Sequence, residues 1–515
     1  MYRDGVLKSI WQSEIKTQKT DNPLSTIYDV IIVGAGITGL SSAVELQSRG
    51  KNCLILEAEN TGFGTTGGST AHLNTFFDAS YDQVINDFGF ENAKLFSNSG
   101  KEAIENIRYN IHKYEISCGF EDKTAYLFAL DSEQKEKLKS IMEASNKVGI
   151  EMKPTEISPF PIPFVEAVEI QGQAQIHPIQ YINGLKRAFL AMGGNYLEKC
   201  RVTDHINKVN NLGVITTMGE FESKYLIYAT HTPIGVNLLH FRNRPFRSYA
   251  IGVELKNSEY PQALGYDLSE PYNYYRSQIV DGKQYLIVGG KDHQTGEIPE
   301  DGDSLSGLEN DLRTYYDVEN VVFRWSSQFF ESADGLPYIG KIPGGPDEVF
   351  VATGYNGNGI TLGSLAGKIL SDMIVEGHSK YGELFNPRRV KPMAGFSKFT
   401  SHNLNVATHW IGDKISKKHI SELDSLENDE GRVVRYEGKT LAIYKDPSGE
   451  VHALRSLCTH VQCTVQWNPN ELTWDCPCHG SRFGVKGNVL NSPAVQPLDP
   501  IDLIDDQPME RNETS

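Results

Sequence analysis

The sequence predicts three folding units: an α/β dinucleotide-binding domain, a strand-rich α+β region and a small all-β domain at the C-terminus. Three observations carry this. A strand, a glycine turn, a helix and a second strand ending in an acid follow one another over 28–57. Strand-like runs recur over 246–330. Two Cys–His pairs stand among short strands at 458–479. A chain of 515 residues is too long for one core. Its hydrophobic fraction of 39% and aromatic fraction of 10% suit a globular protein.

Charge and composition narrow the function. Lys and Arg total 49 against 66 Asp and Glu, a net charge of −17, which argues against non-specific binding to nucleic acid or to anionic membranes. Residues 1–23 are polar, without the apolar core of a signal peptide. No apolar run reaches the length of a membrane span. A cytoplasmic protein is expected. Seven cysteines do not make a disulfide framework. Cys53, Cys118 and Cys200 are scattered and read as small buried apolar residues.

The first element is the apolar, β-branched run 28–33, as a buried parallel strand requires. Gly34, Gly36 and Gly39 follow in G-x-G-x-x-G spacing, and Leu40, Ala43, Val44 and Leu46 continue as a helix that stops at Arg49-Gly50. The strand 53–56 ends in Glu57. Gly34 permits the tight turn, Gly36 admits a pyrophosphate at the helix N-terminus, and Gly39 lets helix and strand pack. Glu57 would accept hydrogen bonds from ribose hydroxyls and repel a 2′-phosphate, which disfavours NADP. On these residues alone, FAD and NAD stay open. The loop 62–73, with Gly64, Thr65 and Thr66, is rich in glycine and hydroxyls and can close over phosphates. Residues 91–114 and 132–147 read as amphipathic helices. Strands are expected at 223–230, 249–255, 272–276, 285–289 and 349–353. The last runs into a glycine turn, Gly354, Gly357 and Gly359, which opens another helix.

Taken together, residues 28 to about 378 resemble the D-amino-acid oxidase, glycine oxidase and sarcosine oxidase superfamily of FAD enzymes. The matching features are the glycine fingerprint with Glu57, His177-Pro178 before a helix, the Ala229-Thr230 strand end, the 334–340 segment and the 354–359 turn. The resemblance implies a Rossmann-like FAD domain built from discontinuous segments and an α+β substrate domain that lays an antiparallel sheet over the flavin. Boundaries are expected at 28–80, 160–245 and 331–378 for the FAD domain, and at 81–159 and 246–330 for the substrate domain. Residues 1–27 form an N-terminal arm. Arg276 and Tyr275 sit where relatives place substrate-facing groups, and Arg276 could clamp a carboxylate. Tyr249, Tyr275, His293, Trp325 and Tyr355 could wall an amine pocket. Tyr355, Tyr275 and Arg276 are the candidate catalytic residues. His72 follows the phosphate-side loop, but its surroundings do not match relatives that attach flavin through a histidine.

After an expected connector at 379–419, residues 420–505 read as short strands and turns, followed by an acidic tail at 506–515. Cys458-Thr459-His460 is followed, sixteen positions after the histidine, by Cys476-Pro477-Cys478-His479. A zinc site usually pairs Cys with Cys and His with His. Here each loop offers one sulfur and one imidazole, as a Rieske [2Fe–2S] centre requires. The segment closely resembles the Rieske domain of respiratory cytochrome complexes. The resemblance assigns Cys458, His460, Cys476 and His479 as ligands, Cys463 and Cys478 as a disulfide, Ser481 as a hydroxyl donor to the cluster, and Ser492-Pro493-Ala494 as the covering loop.

The combined reading is FAD-dependent oxidation of a small amine or amino acid, with electrons leaving through the cluster to an external acceptor or redox protein. Reverse flow from a carrier, or a non-catalytic electron-transfer or redox-sensing role, remain open alternatives. A Rieske oxygenase would need a mononuclear iron site. His402 and His409 lack a convincing partner acid for one. Phe483 stands where high-potential Rieske domains carry a tyrosine that hydrogen-bonds a ligand sulfur. The midpoint potential is therefore expected below the upper end of the Rieske range of roughly −150 to +300 mV. A redox titration placing it at that upper end would refute the assignment.

Overall fold

The protein, seen here as a computed structural model, is described over residues 3–12, 24–25, 27–297, 303–389, 426–436 and 439–502. Most of the expected connector, with His402 and His409, and the acidic tail lie outside the described residues. Among the described residues no helix is long and apolar enough to cross a membrane.

The nucleotide-binding signature folds as β1 (Ile27–Val33), α1 (Ile37–Ser48) and β2 (Cys53–Leu56). The two strands pair in parallel, Val30 opposite Cys53 and Val33 opposite Leu56. Gly34 adopts φ +103°, a region that favours glycine. A Cβ on Gly39 would fall 1.9 Å from the Gly34 carbonyl, so only glycine lets α1 start against β1. The strand Gly219–Tyr228 continues the sheet in parallel on the other side of β1, Val349–Thr353 follows, and Asn195–Leu197 extends the β2 edge. The run 349–353 is buried throughout, as expected of a strand covered on both faces.

A second sheet has nine strands among the described residues. Asn243–Leu255 pairs antiparallel with Val318–Ser332 and with Lys283–Gln294, and Tyr274–Val280 adds to the latter. Strand alternation sorts these residues. Ser248 and Ala250 face a large cavity, whereas Tyr249 and Ile251 enter an apolar cluster behind the sheet. The structure redraws two expected boundaries. His72–Leu73 and Glu166–Gln175 belong to this second sheet, because Glu166–Gln175 pairs antiparallel with Glu121–Ala129.

The C-terminal unit is all β. Glu430–Tyr436, Lys439–Lys445 and Val451–Arg455 form one antiparallel sheet, and four short strands between Gln466 and Asn491 form another. It packs against the other two units through buried charges. Arg247 binds Glu471 and lies 3.2 Å from Asp4. Arg482 also binds Glu471, and it lies 2.9 Å from Asp475 and 3.2 Å from Asp4. Every member of the network is buried. The N-terminal arm runs through the junction: Val6 N donates to Glu471 O at 3.1 Å, and Trp11 Nε1 donates to Ser69 O at 2.7 Å.

Removing one partner from a buried ionic network leaves an uncompensated charge and costs about 3–5 kcal/mol. Glu471→Ala is therefore expected to lower the urea midpoint, with a loss of unfolding free energy in that range. An unchanged midpoint would show that the network does not hold the C-terminal unit in place.

Candidate functional site

The cavity, of about 830 Å³, runs from the N-terminus of α1 to the underside of the antiparallel sheet. Gly34, Gly36, Glu57, Gly64, Thr65 and Thr66 line one end, and Gly357 and Gly359 line a wall of it. Gly39 and Gly354 do not reach the cavity. Gly39 serves the packing of α1, and Gly354, at φ +71°, turns the chain beside Asn243. The 62–73 loop contains a helical turn, Thr65–Gly68. Thr66 Oγ1 accepts from Ile37 N at 3.0 Å, tying this turn to the start of α1. Glu57 accepts from Ala35 N at 2.7 Å and Glu59 N at 2.8 Å. Burial raises the Glu57 pKa against the pull of those two amides. A dinucleotide fits this end: the backbone is bare at Gly34 and Gly36, and an acid stands one strand away.

The other end differs from the sequence expectation. Arg276 does not line the cavity. Its Nη1 donates to Thr70 O at 2.6 Å, Ala71 O at 2.9 Å and Ile176 O at 3.3 Å, and its Nη2 binds Gln278. It lies on the same side of its strand as Tyr274, but the 69–72 segment and Trp11 cover it, with Trp11 5.6 Å from its guanidinium carbon. The carboxylate clamp is therefore not available. Tyr275 points the other way and packs with Phe128 and Phe160. Tyr249 and His293 stack on each other at 5.3 Å, away from the cavity. Trp325 and Tyr355 do line it, and Tyr355 hydrogen-bonds Thr38 at 2.9 Å. His72 also lines it, with Nδ1 2.5 Å from the Tyr266 hydroxyl.

The two Cys–His loops are built alike. Cys458 N donates to Cys463 O at 2.8 Å and Gln462 N returns to Cys458 O at 2.9 Å. Cys476 N donates to Ser481 O at 2.8 Å and Gly480 N returns to Cys476 O at 3.0 Å. Cys463 and Cys478 are joined by a disulfide that links the loops. Cys458 and Cys476 are buried free thiols in contact with each other, and the His460 and His479 rings lie 5.1 Å apart. The sulfurs of Cys463, Cys476 and Cys478 also lie within 4.8 Å of one another, but two of these three are spent in the disulfide. His460 Nε2 lies 3.0 Å from Gly235 O, while its buried Nδ1 has no hydrogen-bond partner. A free Nδ1 beside paired thiols suits a Rieske cluster, with Cys458, His460, Cys476 and His479 as the donor set.

The two sites meet. Leu490, Asn491 and Ser492 of the C-terminal unit line the nucleotide cavity. Asn491 Nδ2 donates to Gly480 O at 3.1 Å, next to His479, and Asn491 Oδ1 accepts from Arg3 at 3.2 and 3.3 Å. Arg3 in turn binds Thr65. No local pattern points to Arg3 or Asn491, which are 488 positions apart.

The Ser481 hydroxyl accepts from Ala494 N at 3.0 Å and contacts Cys458. A donor to a cluster sulfur favours the more negative, reduced state. Ser481→Ala is expected to lower the midpoint potential by on the order of 60–130 mV, the equivalent of one charge-assisted hydrogen bond in a one-electron couple. Redox titration followed by electron paramagnetic resonance measures it.

Comparison with known proteins agrees with this geometry. The family described as FAD dependent oxidoreductase (DAO) matches residues 29–373, and the Rieske [2Fe-2S] domain matches 416–502. The chain is 32% identical over 482 residues to YhfW of Bacillus subtilis (strain 168), whose name marks it a candidate Rieske 2Fe-2S iron-sulfur protein. That match covers 92% of this chain and 93% of YhfW. It is 25% identical over 363 residues to the gamma-glutamylputrescine oxidoreductase of Escherichia coli (strain K12), covering 67% of this chain and 83% of that one. In fold it is similar to the glycine oxidase of Geobacillus kaustophilus, with a TM-score of 0.59 at 18% identity over 71% of this chain and 100% of the other. The protein is an oxidoreductase whose cofactors are FAD and a [2Fe–2S] cluster. The chain belongs to the FAD dependent oxidoreductase (DAO) family and carries a C-terminal Rieske [2Fe-2S] domain.

Proposed function

We propose that the protein, in the cytoplasm, oxidises a small amine or amino acid and passes the electrons through its cluster to an external acceptor. FAD, when bound, supplies two-electron chemistry, and the cluster supplies one-electron transfer onward. The residues proposed to hold FAD are Gly34, Gly36, Glu57, Gly64, Thr65, Thr66, Gly357 and Gly359. Those proposed to hold the irons are Cys458, His460, Cys476 and His479.

The observation that carries the reading is the continuous contact from Thr65 through Arg3 and Asn491 to Gly480, beside a proposed ligand. A fused domain docked on the cavity wall makes electron transfer intramolecular and independent of a diffusional encounter. His460 is the proposed ligand nearer to solvent, whereas His479 is 1% exposed. The edge at His460, next to exposed Val236 and Leu238, is the proposed exit toward an acceptor.

Anaerobic mixing with a panel of amines and amino acids is the direct test. At least one compound is expected to bleach the flavin, with the reduced-cluster resonance appearing afterwards. Asn491→Leu is expected to leave bleaching unchanged and to slow cluster reduction severalfold. Absence of bleaching with every compound, together with cluster reduction by a carrier such as ferredoxin, would reverse the assigned direction of flow.

A further inference from the structure

The end of the cavity under the sheet is rich in acceptors and, among the described residues, has no free cation. Asp292 lies on Lys283–Gln294, on the strand paired with Asn243–Leu255, and lines the cavity with Tyr274 and Trp325. Its Oδ1 is closed off from solvent and has no hydrogen-bond partner. The nearby donor is the Ser248 hydroxyl, which is shared with Tyr274 at 2.9 Å. Among the described residues no basic side chain forms an ion pair with Asp292.

The neighbouring acids are mostly occupied. Asp267 takes Ser269 N, Asn273 N and Asn273 Nδ2 at 2.9–3.0 Å. Asp78 takes the Tyr272 hydroxyl, Gly357 N and Asn358 Nδ2. Asp82, which also lines the cavity, carries another unpartnered oxygen, Oδ1. The basic groups are occupied as well. Lys137 pairs with Glu270 at the exposed rim, and Arg276 is spent on backbone carbonyls. Arg3 and Arg201 serve the nucleotide end, Arg201 beside Glu59. His72 stays neutral, because burial and Arg276 hold its pKa well below the ordinary value.

We propose that this end binds a cationic amine that carries no carboxylate, its ammonium seated on Asp292. The inference rests on the oxidase reading above and narrows its substrate. An ammonium brings the N–H donors and the positive charge that the Asp292 carboxylate lacks. Burial raises the Asp292 pKa to about 7, the mark of a carboxylate short of a counter-charge. An α-amino acid would bring its carboxylate to a wall with no guanidinium to receive it and with Asp292 to repel it.

The test uses the holoenzyme under anaerobic conditions, with butane-1,4-diamine and butylamine against glycine and L-proline. The amines are expected to bleach the flavin at lower concentration than either amino acid. Asp292→Asn is expected to raise the half-saturating amine concentration about 10- to 100-fold, the loss of one charge-assisted hydrogen bond, with FAD content and the cluster resonance unchanged. Asp292→Glu is expected to recover part of the affinity. Bleaching by glycine or L-proline in preference to the amines overturns this inference and leaves the oxidase reading intact. An unaltered half-saturating concentration in a fully loaded Asp292→Asn enzyme overturns it too. If neither amine bleaches the flavin, this inference falls, and the oxidase reading is decided by the wider panel and the carrier experiment above.

Discussion

Two arginines cut off from water, Arg247 and Arg482, constrain the rest of the molecule. Their counter-charges come from two distant parts of the chain: Asp4 from the N-terminal arm, and Glu471 and Asp475 from the cluster domain. Arg247 itself belongs to the substrate sheet. Each of these ions costs several kcal/mol to bury alone, and only the assembled set offsets that cost. The arm, the sheet and the cluster domain therefore dock together or not at all. The position of Asn491 between Arg3 and Gly480 is a consequence of that docking. So is the presence of Leu490, Asn491 and Ser492 on the wall of the FAD cavity.

Docking also settles how the cluster loops are shielded. Gln328 Nε2, from the substrate sheet, donates to Gly480 O at 2.9 Å, and His240 lies 4.7 Å from His460 and 5.6 Å from His479. The cluster end of the C-terminal domain is thus packed on the flavin unit rather than left in water. The low-dielectric surroundings strengthen each hydrogen bond to the sulfurs and the imidazoles. The disulfide and the paired backbone bonds then hold the two loops in one arrangement.

What the sequence disclosed, and what it hid, follow from the range of the interactions. The strand–turn–helix of β1, α1 and β2 and the two Cys–His loops are written in contiguous residues, and they fold as read. The limits of the second sheet are not legible locally, because Glu166–Gln175 pairs with the distant Glu121–Ala129. Arg276 and Tyr275 look like substrate groups on a strand read in isolation. Alternation turns Tyr275 into the apolar cluster, and Trp11, 265 positions upstream of Arg276, helps to cover the arginine. No local pattern could have disclosed that cover, because it comes from an arm whose polar composition gives no hint of burial.

The arm therefore has more consequence than its length suggests. A covalent fusion alone would give a high local concentration of cluster domain but no fixed geometry. Trp11, Ser9 and Arg3 anchor the arm to the 65–69 turn of the FAD domain, and Asp4 joins it to both buried arginines. With its polar groups satisfied on both sides, the arm acts as a clamp that meets the ordering cost once, during folding. Preorganisation of this kind suits electron transfer, which depends on distance and not on contact chemistry with the substrate. It leaves the end of the cavity under the sheet free to vary without disturbing the junction with the cluster domain.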